Sequence, residues 1–332
     1  MLQGQNIGVI GGGSWATALV KILCENAKEI YWWNRNAESI AFIEEHGRNP
    51  RYLSGAELNI ERINMSTDLN YIVSQCDILI MAIPSAFIFK ELENTEKAVF
   101  KGKNMISAIK GIIPEENKLP AIYFHENLGI PYKQIGIICG PCHAEEVAME
   151  RLSYLTIAHP VDEMANYVAE ALTCRYIKTV VSNDVIGAEV SAILKNVFAV
   201  ASGICAGLGY GDNFQAVLVS NGIREIRAFV DRIKPLERDV SASAYLGDLL
   251  VTAYSMFSRN RNFGSMIGKG YSVKAAHVEM DMVAEGYYAV KGIVEMNKKY
   301  QVEMPITQAV YNVCYEKISP AIEMKILSDK LS

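Results

Sequence analysis

The stretch Asn6-Ile-Gly-Val-Ile-Gly-Gly-Gly-Ser-Trp-Ala16 decides the fold of this chain. Its first half is short, apolar and bounded by polar residues, which is typical of a buried β-strand. A Gly-x-Gly-x-x-Ala turn follows directly, and a helical pattern over residues 17–24 comes after it. Gly11 permits a tight turn, Gly13 lets the backbone approach a pyrophosphate, and Ala16 lets the helix pack close to the strand. Strand, turn and helix together predict a dinucleotide-binding site at a helix N-terminus.

Composition favours a globular protein of about two domains and argues against several other classes. The chain has 332 residues, 50% of them hydrophobic, and a formal net charge of −5. This acidic balance argues against a nucleic-acid partner and against a basic membrane-binding patch. The longest uncharged apolar run, residues 197–208, is shorter than the roughly 20 residues of a spanning helix, so membrane insertion is not expected. Seven scattered cysteines and an N-terminus without a secretion pattern predict a cytoplasmic location.

Strand-like and helix-like segments alternate along the first half of the chain. The strand candidates after the first one are residues 30–34, 77–83, 104–109, 134–139, 153–158 and 175–181. Alternation of this kind is typical of a doubly wound, Rossmann-type α/β sheet, with ligands beyond the carboxyl ends of its strands. After Asn183 the pattern is helical, with breaks at residues 207–211, 234–235, 264–270 and 305. We therefore predict a dinucleotide-binding domain over residues 1–183 and an all-helical substrate and catalytic domain over residues 184–332.

The end of the second strand bears on the choice of cofactor. Enzymes restricted to NAD usually place an acid there to hold the ribose 2′-hydroxyl. Here the chain reads Asn34-Arg35-Asn36, without an acid. Arg35 suits a 2′-phosphate, although an exposed arginine at the start of a loop has the same pattern. NADPH is therefore permitted, and NADH is not excluded.

Lys195 is the strongest candidate for a catalytic residue. It is the only basic residue between Lys178 and Arg224. One face of its helix is an apolar stripe, and the face around Lys195 has small residues rather than charges, so the helix should be buried on all sides. A buried lysine needs a partner, and desolvation lowers the pKa of an ammonium group toward the range useful for proton transfer. The alternative is a lysine whose stem reaches water at a helix edge.

Two further groups of polar residues follow in the helical half. Asp248 and Thr252 are four residues apart, so on a helix they share one face and are placed to orient an ammonium group or a substrate hydroxyl. Asp248 also fits a helix N-cap after Gly247. The segment Ser258-Arg259-Asn260-Arg261-Asn262 combines hydroxyl, guanidinium and amide groups and suits a phosphate, unless it is a solvated loop.

Cys139-Gly-Pro-Cys142-His143 offers an alternative function. The Cys-x-x-Cys spacing resembles a thioredoxin-like redox pair, which would make the chain a disulfide oxidoreductase. A complete nucleotide-binding pattern precedes it, so the redox interpretation is the weaker one. The five histidines show no metal-ligand spacing apart from Cys142-His143, and no metal site is predicted.

With these residues assembled, the chain resembles the bacterial type of NAD(P)-dependent glycerol-3-phosphate dehydrogenase from Gly11 to about Tyr315. The motifs that support the resemblance are Gly11–Ala16, Lys110-Gly111, Gly140-Pro141-x-x-Ala144-x-Glu146, Leu194-Lys195-Asn196-Val197, Gly207-x-Gly209-x-Gly211-x-Asn213, Leu246-Gly247-Asp248-Leu249, Ser258-Arg259-Asn260-Arg261, Glu285-Gly286-Tyr287 and Val302-Glu303-Met304-Pro305-Ile306. The chain departs from the family pattern at Asn34, Cys142-His143, Gln215 and Asn221. Related dehydrogenases of 3-hydroxy acids or 6-phosphogluconate share the architecture and stay an alternative.

The resemblance implies reversible reduction of dihydroxyacetone phosphate to sn-glycerol 3-phosphate with NADPH or NADH, for phospholipid synthesis. It implies Lys195 as the catalytic proton donor and acceptor. The substrate-binding residues it implies are Lys110, Gly140, Cys142, Lys195, Asn196, Asp248, Thr252, Ser258, Arg259 and Asn260. The cofactor-binding residues are Gly11, Gly13, Ser14, Trp15, Arg35, Asn36, Lys110, Ala144, Arg259, Val283 and Glu285. A homodimer is the expected assembly.

Overall fold

The computed structural model describes residues 4–93, 95–280 and 283–332. An eight-stranded sheet has the order β3-β2-β1-β4-β5-β6-β7-β8. Its strands are β1 (Ile7–Ile10), β2 (Ile30–Trp33), β3 (Ile63–Ser66), β4 (Ile78–Met81), β5 (Asn104–Ser107), β6 (Ile135–Cys139), β7 (Ser153–Ala158) and β8 (Ile177–Ser182). All neighbours are parallel except the antiparallel pair β6 and β7. The predicted Rossmann-type doubly wound sheet is confirmed, and the sequence pattern missed only the edge strand β3.

The order of the strands explains where a ligand fits. Chain order reverses at β1, whose neighbours are β2 on one side and β4 on the other. In doubly wound sheets, ligands bind outside the carboxyl ends of the strands at this switch point. The Gly-rich turn leaves β1 there, and its Gly11 lies against Ala82, which follows β4. The fold therefore places the sequence motif at the expected edge of the sheet.

Fifteen α-helices lie within the described residues. They are α1 (Ser14–Asn26), α2 (Ala37–His46), α3 (Leu69–Gln75), α4 (Ser85–Leu92), α5 (Pro120–Leu128), α6 (Ala144–Ala148), α7 (Asp162–Leu172), α8 (Val185–Gly207), α9 (Asp212–Ile233), α10 (Asp248–Tyr254), α11 (Arg259–Gly268), α12 (Val273–Glu279), α13 (Glu285–Tyr300), α14 (Pro305–Cys314) and α15 (Pro320–Ser328). No strand is found among the described residues after β8, so the predicted all-helical C-terminal half is confirmed.

Contacts divide the chain into two compact units. The first unit extends to Ile83 and also contains Phe87–Ile109 and Pro120–Val185, which together include the whole sheet. The second unit contains Ile186–Ser332 together with two short segments of the N-terminal half, Pro84–Ala86 and Lys110–Leu119. The loops that follow β4 and β5 therefore pack with the helical residues.

Helix α8 is the core helix of the second unit. All residues from Gly187 to Cys205 are buried, as the small and apolar faces of its sequence predict. With 23 residues it is long and apolar enough to cross a membrane by length and composition, although 89% of its most apolar window is buried inside the protein. The uncharged apolar run at residues 197–208 is shorter than the helix, because Glu189 and Lys195 interrupt the first half of α8.

One of the glycine-containing breaks was predicted too early. Helix α11 continues through Gly264 to Gly268, whereas the break predicted at residues 207–211 is confirmed, because α8 ends at Gly207 and α9 begins at Asp212. A Cβ atom at Gly264 would collide with the carbonyl oxygen of Val200, and one at Gly268 with the carbonyl oxygen of Ile204. The glycines in α11 therefore do not end this helix. They allow its backbone to pack directly against the backbone of α8.

Candidate active site

The turn between β1 and α1 has the backbone conformation that its glycines predict. Gly11 has φ +140°, and a Cβ atom there would lie 2.6 Å from the carbonyl oxygen of Ala82. Gly13 is the N-cap of α1 with extended backbone, and a Cβ atom there would meet nothing within 4 Å. A side chain at Gly13 would therefore fill open space beside the first N–H groups of α1, at Ser14 and Trp15. This space and the helix dipole fit a pyrophosphate.

A buried asparagine that the sequence did not single out holds the same turn in place. Asn49 is 1% exposed, and its amide nitrogen donates to the carbonyl oxygen of Gly12 at 3.3 Å and to Thr17 Oγ1 at 2.8 Å. Its amide oxygen accepts hydrogen bonds from the backbone N–H groups of Arg51 and Tyr52. One side chain thus joins the loop after α2 to the phosphate-binding turn.

The residues that follow β2 have distinct roles. Asn34 is buried, and its Oδ1 atom accepts a hydrogen bond from the backbone of Asn36, whose own side chain caps α2 by accepting from Ser39 N at 2.7 Å. Arg35 is exposed, and its Nη1 atom donates to Glu91 Oε1 at 2.6 Å. Arg35 is therefore the exposed, charged side chain of this segment.

Three further predicted residues belong to the first unit. Gly140, Cys142 and Ala144 are buried after β6, and Ala144 is the first residue of α6. Gly140 has φ +115°, and a Cβ atom there would lie 2.8 Å from the carbonyl oxygen of Tyr154. Glycine is required at this position because the backbones of two segments meet there.

The centre of the candidate site in the second unit is a buried ion pair. Lys195 Nζ, on α8, donates to Asp248 Oδ1, at the start of α10. Their side chains are 4% and 1% exposed. The prediction that Lys195 is buried with a partner is confirmed, and the partner is Asp248. Asp248 is not an N-cap, because a π-helical turn over Ser243–Gly247 runs directly into α10. Thr252 lies one turn further along α10, and its hydroxyl donates to the backbone oxygen of Asp248 at 2.6 Å.

Asn196 connects the loop after β5 to α8. Its amide nitrogen donates to the carbonyl oxygen of Lys110 at 2.7 Å, within the second unit. Lys110 is half-buried. This hydrogen bond fixes the backbone of Lys110 next to the residue that follows Lys195.

The phosphate-type cluster forms the start of α11 rather than a solvated loop. Ser258 is its N-cap and accepts a hydrogen bond from Arg261 N at 3.3 Å, and Arg259 is its first residue. Asn260 is buried, and its Oδ1 atom accepts a hydrogen bond from Gly286 N, at the start of α13, at 2.9 Å. Helix α11 therefore brings the Asn260 amide to the first turn of α13, and the charge of Arg259 acts on Glu285 there.

Glu285 is the first residue of α13. Its carboxylate accepts hydrogen bonds from the backbone N–H of Ser85, at 3.0 Å, and from the Ser85 hydroxyl. Burial raises the pKa of Glu285 above its ordinary value, while the Ser85 hydrogen bonds and the charge of Arg259 oppose the shift. The sequence did not predict this contact, because Ser85 lies 200 residues before Glu285. Val283, also expected near the cofactor, is half-buried just before α13.

Comparison with known proteins places the chain in a family. Two family profiles match it, the NAD-dependent glycerol-3-phosphate dehydrogenase N-terminus over residues 6–165 and the C-terminus of the same family over residues 184–325. An NAD(P)+ glycerol-3-phosphate dehydrogenase from Staphylococcus carnosus is 32% identical over 97% of each chain. One from an Exiguobacterium species is 36% identical over 97% of this chain and 94% of its own. This chain belongs to the NAD-dependent glycerol-3-phosphate dehydrogenase family.

The fold supports the same assignment. The crystal structure of glycerol-3-phosphate dehydrogenase from Coxiella burnetii has a TM-score of 0.89 to this chain, at 26% identity and with 97% and 98% of the two chains covered. A Plasmodium falciparum glycerol-3-phosphate dehydrogenase, at 24% identity and a TM-score of 0.83, shows the same fold.

Two departures from the glycerol-3-phosphate dehydrogenase pattern have structural roles here. Gln215 is 5% exposed and exchanges two hydrogen bonds with Ser202 of α8, at 2.7 and 2.9 Å. Asn221 donates to the carbonyl oxygens of Val217 and Ser332. Both amides therefore link α9 to its surroundings. No group of His, Cys, Asp or Glu side chains in the described residues is arranged to hold a metal ion.

Proposed function

We propose that this chain catalyses the reversible, NAD(P)H-dependent reduction of dihydroxyacetone phosphate to sn-glycerol 3-phosphate. The main support is the Lys195–Asp248 pair, an amine and a carboxylate buried together in a chain of this dehydrogenase family. Bound NADH or NADPH supplies the hydride, while the protein supplies position, charge and a proton. The product would feed glycerophospholipid synthesis.

Lys195 would act as the proton donor in the reduction. Negative charge develops on the carbonyl oxygen as the hydride reaches the keto carbon, and a proton from Lys195 Nζ neutralises it. Asp248 would hold Nζ in position and stabilise the charged amine. In the reverse reaction Lys195 Nζ takes the proton back from the hydroxyl group.

Most of the residues that we propose for substrate binding belong to the second unit. Ser258, Arg259 and Asn260 would hold the phosphate, because a guanidinium gives paired donors and the N-terminus of α11 adds its dipole. Lys110 and Asn196 would stabilise the developing charge, and Asp248 and Thr252 would orient the substrate hydroxyl. Gly140 and Cys142 are proposed substrate neighbours in the first unit.

The dinucleotide would be bound at the N-terminus of α1. The residues proposed to contact it are Gly11, Gly13, Ser14, Trp15, Arg35, Asn36, Lys110, Ala144, Arg259, Val283 and Glu285. The open space at Gly13 is the observation that supports this assignment. We assign residues 1–183 to dinucleotide binding and residues 184–332 to substrate binding and catalysis.

The disulfide oxidoreductase alternative is not favoured. Cys139 and Cys142 are only 0% and 4% exposed. A redox-active thiol must be accessible to a disulfide substrate. The match to glycerol-3-phosphate dehydrogenases over nearly the whole chain also disfavours a 3-hydroxy-acid or 6-phosphogluconate dehydrogenase.

Assembly and location follow as proposals from the family. We expect a homodimer in the cytoplasm, without membrane insertion. Light scattering during gel filtration would give about twice the chain mass of 36.8 kDa for a dimer.

A decrease in absorbance at 340 nm with dihydroxyacetone phosphate and each reduced nucleotide in turn tests the function. Oxidation with at least one nucleotide supports it, and no oxidation with either contradicts it. The Cys139→Ser variant is the control for the redox alternative, because it removes one thiol of the pair. It should retain most of the activity, whereas the redox alternative predicts complete loss. A panel of 3-hydroxy acids and 6-phosphogluconate with oxidised nucleotide should give no comparable rate.

A further inference from the structure

The end of β2 is the place where a dinucleotide-binding sheet reads the adenosine ribose. An acid at this position accepts a hydrogen bond from the 2′-hydroxyl of NADH, whereas an arginine pairs with the 2′-phosphate of NADPH. In this chain β2 ends at Trp33, and Arg35 is the exposed side chain that follows. On this rule alone the chain would favour NADPH.

Helix α4 brings a carboxylate to this arginine. Glu91 Oε1 lies 2.6 Å from Arg35 Nη1, and the Glu91 side chain is only 15% exposed. Phe87 is one turn earlier on the same helix face, and its ring centroid is 5.8 Å from Arg35 Cζ. The guanidinium therefore lies against one face of α4, with a negative charge beside it.

We propose that Glu91 is a specificity-determining residue that opposes the 2′-phosphate of NADPH and favours NADH. The 2′-phosphate has a charge of about −1.5 to −2 and would compete with the Glu91 carboxylate for the same guanidinium. Two anions side by side on one cation repel each other, which lowers the affinity of the protein for NADPH. A ribose 2′-hydroxyl has no such conflict, because it donates a hydrogen bond to a carboxylate. Glu91 thus takes the place of the acid that is missing after β2.

This inference rests on the proposed dinucleotide site, but its test does not require turnover. Isothermal titration of the full chain with adenosine 2′,5′-bisphosphate and with adenosine 5′-monophosphate gives the affinity ratio due to the 2′-phosphate. In Glu91→Gln this ratio should rise about 3- to 10-fold in favour of the bisphosphate. In Arg35→Gln it should fall about 10-fold, since a charge-assisted pair is lost.

Glu93→Gln is the matched control, because it makes the same chemical change two residues later at an exposed position. It should leave the ratio unchanged. The NADPH to NADH ratio of kcat/KM should move in parallel with the binding ratio in each variant. The inference is overturned if Glu91→Gln leaves the binding ratio unchanged, or if Glu93→Gln shifts it equally. Failure of the proposed function would appear separately, as absence of turnover with dihydroxyacetone phosphate.

Discussion

At Lys195 and Asp248, opposite charges are buried together with almost no exposure to water. Removing one member of a buried ion pair takes the opposite charge away from its partner, which typically costs about 3 to 5 kcal/mol. Lys195→Met should therefore lower both the stability and the rate. Adding Asp248→Asn to Lys195→Met should restore part of the stability but none of the activity, because the proton donor is still absent.

Urea unfolding and the 340 nm assay separate the two effects. We expect kcat to fall about 100- to 10,000-fold in both variants, the usual contribution of a positioned proton donor. If the double variant recovered activity together with stability, Lys195 would be a structural residue and the mechanism would be wrong.

Gly13 gives a residue-scale test of the phosphate site. A Cβ atom at Gly13 meets nothing within 4 Å, and the same is true at Gly55, where φ is also not positive. Alanine should therefore be tolerated at both positions, with stability unchanged or raised by up to about 1 kcal/mol. Only Gly13→Ala should weaken NADH binding, by about 10-fold or more, because its methyl group would occupy the space needed by the pyrophosphate.

Fluorescence titration with NADH and thermal unfolding of both variants check this prediction. Equal loss of affinity in Gly55→Ala would show that the effect is not local to the turn. Unchanged affinity in Gly13→Ala would mean that the phosphates bind elsewhere.

The start of α14 is capped by a side chain from another helix. Glu225, on α9, is 4% exposed and accepts hydrogen bonds from Ile306 N, at 2.5 Å, and from the backbone and hydroxyl of Thr307. Burial raises the pKa of Glu225 to about 7, against the effect of these hydrogen bonds. The folded protein therefore holds this proton more tightly than the unfolded chain does.

A raised pKa in the folded state gives a definite pH dependence. The stabilisation that comes from the protonated Glu225 side chain is complete below about pH 4.5 and is lost as the pH rises through about 7. In Glu225→Gln the fall in unfolding free energy between pH 5 and pH 8 should be smaller than in the wild type, by about 3 kcal/mol. Urea unfolding at both pH values measures it, with exposed Glu316→Gln as control. A wild-type pH dependence in Glu225→Gln would contradict the prediction.

Helices α8 and α11 depend on glycine at their crossing. Gly264→Ala should destabilise the protein by about 1 to 3 kcal/mol, since the new Cβ atom would collide with backbone that cannot rotate away. Because α11 begins with Arg259, a shift of this helix should also raise KM for dihydroxyacetone phosphate. Gly211→Ala, where a Cβ atom meets nothing within 4 Å, is the control for thermal unfolding and kinetics. No loss of stability in Gly264→Ala would show that the helices separate freely.

The same glycines show why some elements could be predicted from sequence and others could not. The β1–α1 turn and the burial of α8 follow from local patterns, so both were predicted correctly. Glycine is a poor helix former, and a break at Gly264 was the natural expectation. The helix continues there because of contacts with α8, which precedes it by about 60 residues and leaves no local signal.

Site residues, too, could be predicted where the signal is local and were missed where the contact is between residues far apart in the sequence. Lys195 stood out because its neighbours in sequence are small and uncharged. The contacts of Glu91 and Ser85 were missed because their partners, Arg35 and Glu285, are 56 and 200 residues away. Asn49 was missed for the same reason, since it reaches the turn at Gly12 across 37 residues.

For the whole molecule, the division into two units does not follow a single cut in the chain. Within the second unit, Asn196 needs the carbonyl oxygen of Lys110, and Glu285 needs Ser85. Ile112 packs against Gly292 of α13 so closely that a Cβ atom there would lie 2.7 Å from it. The helical half therefore depends on two short segments of the N-terminal half.

When residues 1–183 and residues 184–332 are expressed separately, we therefore expect the first fragment to fold and the second to be destabilised. The first fragment contains every strand of the sheet and should fold and bind adenosine 5′-monophosphate. The second lacks Ser85, Lys110 and Ile112, and so exposes apolar surface and unpaired polar groups. We expect it to be less stable than the same residues in the full chain, with increased binding of a hydrophobic dye. Circular dichroism, dye fluorescence and nucleotide titration of both fragments test this, and a second fragment that unfolds as cooperatively as the full chain would contradict it.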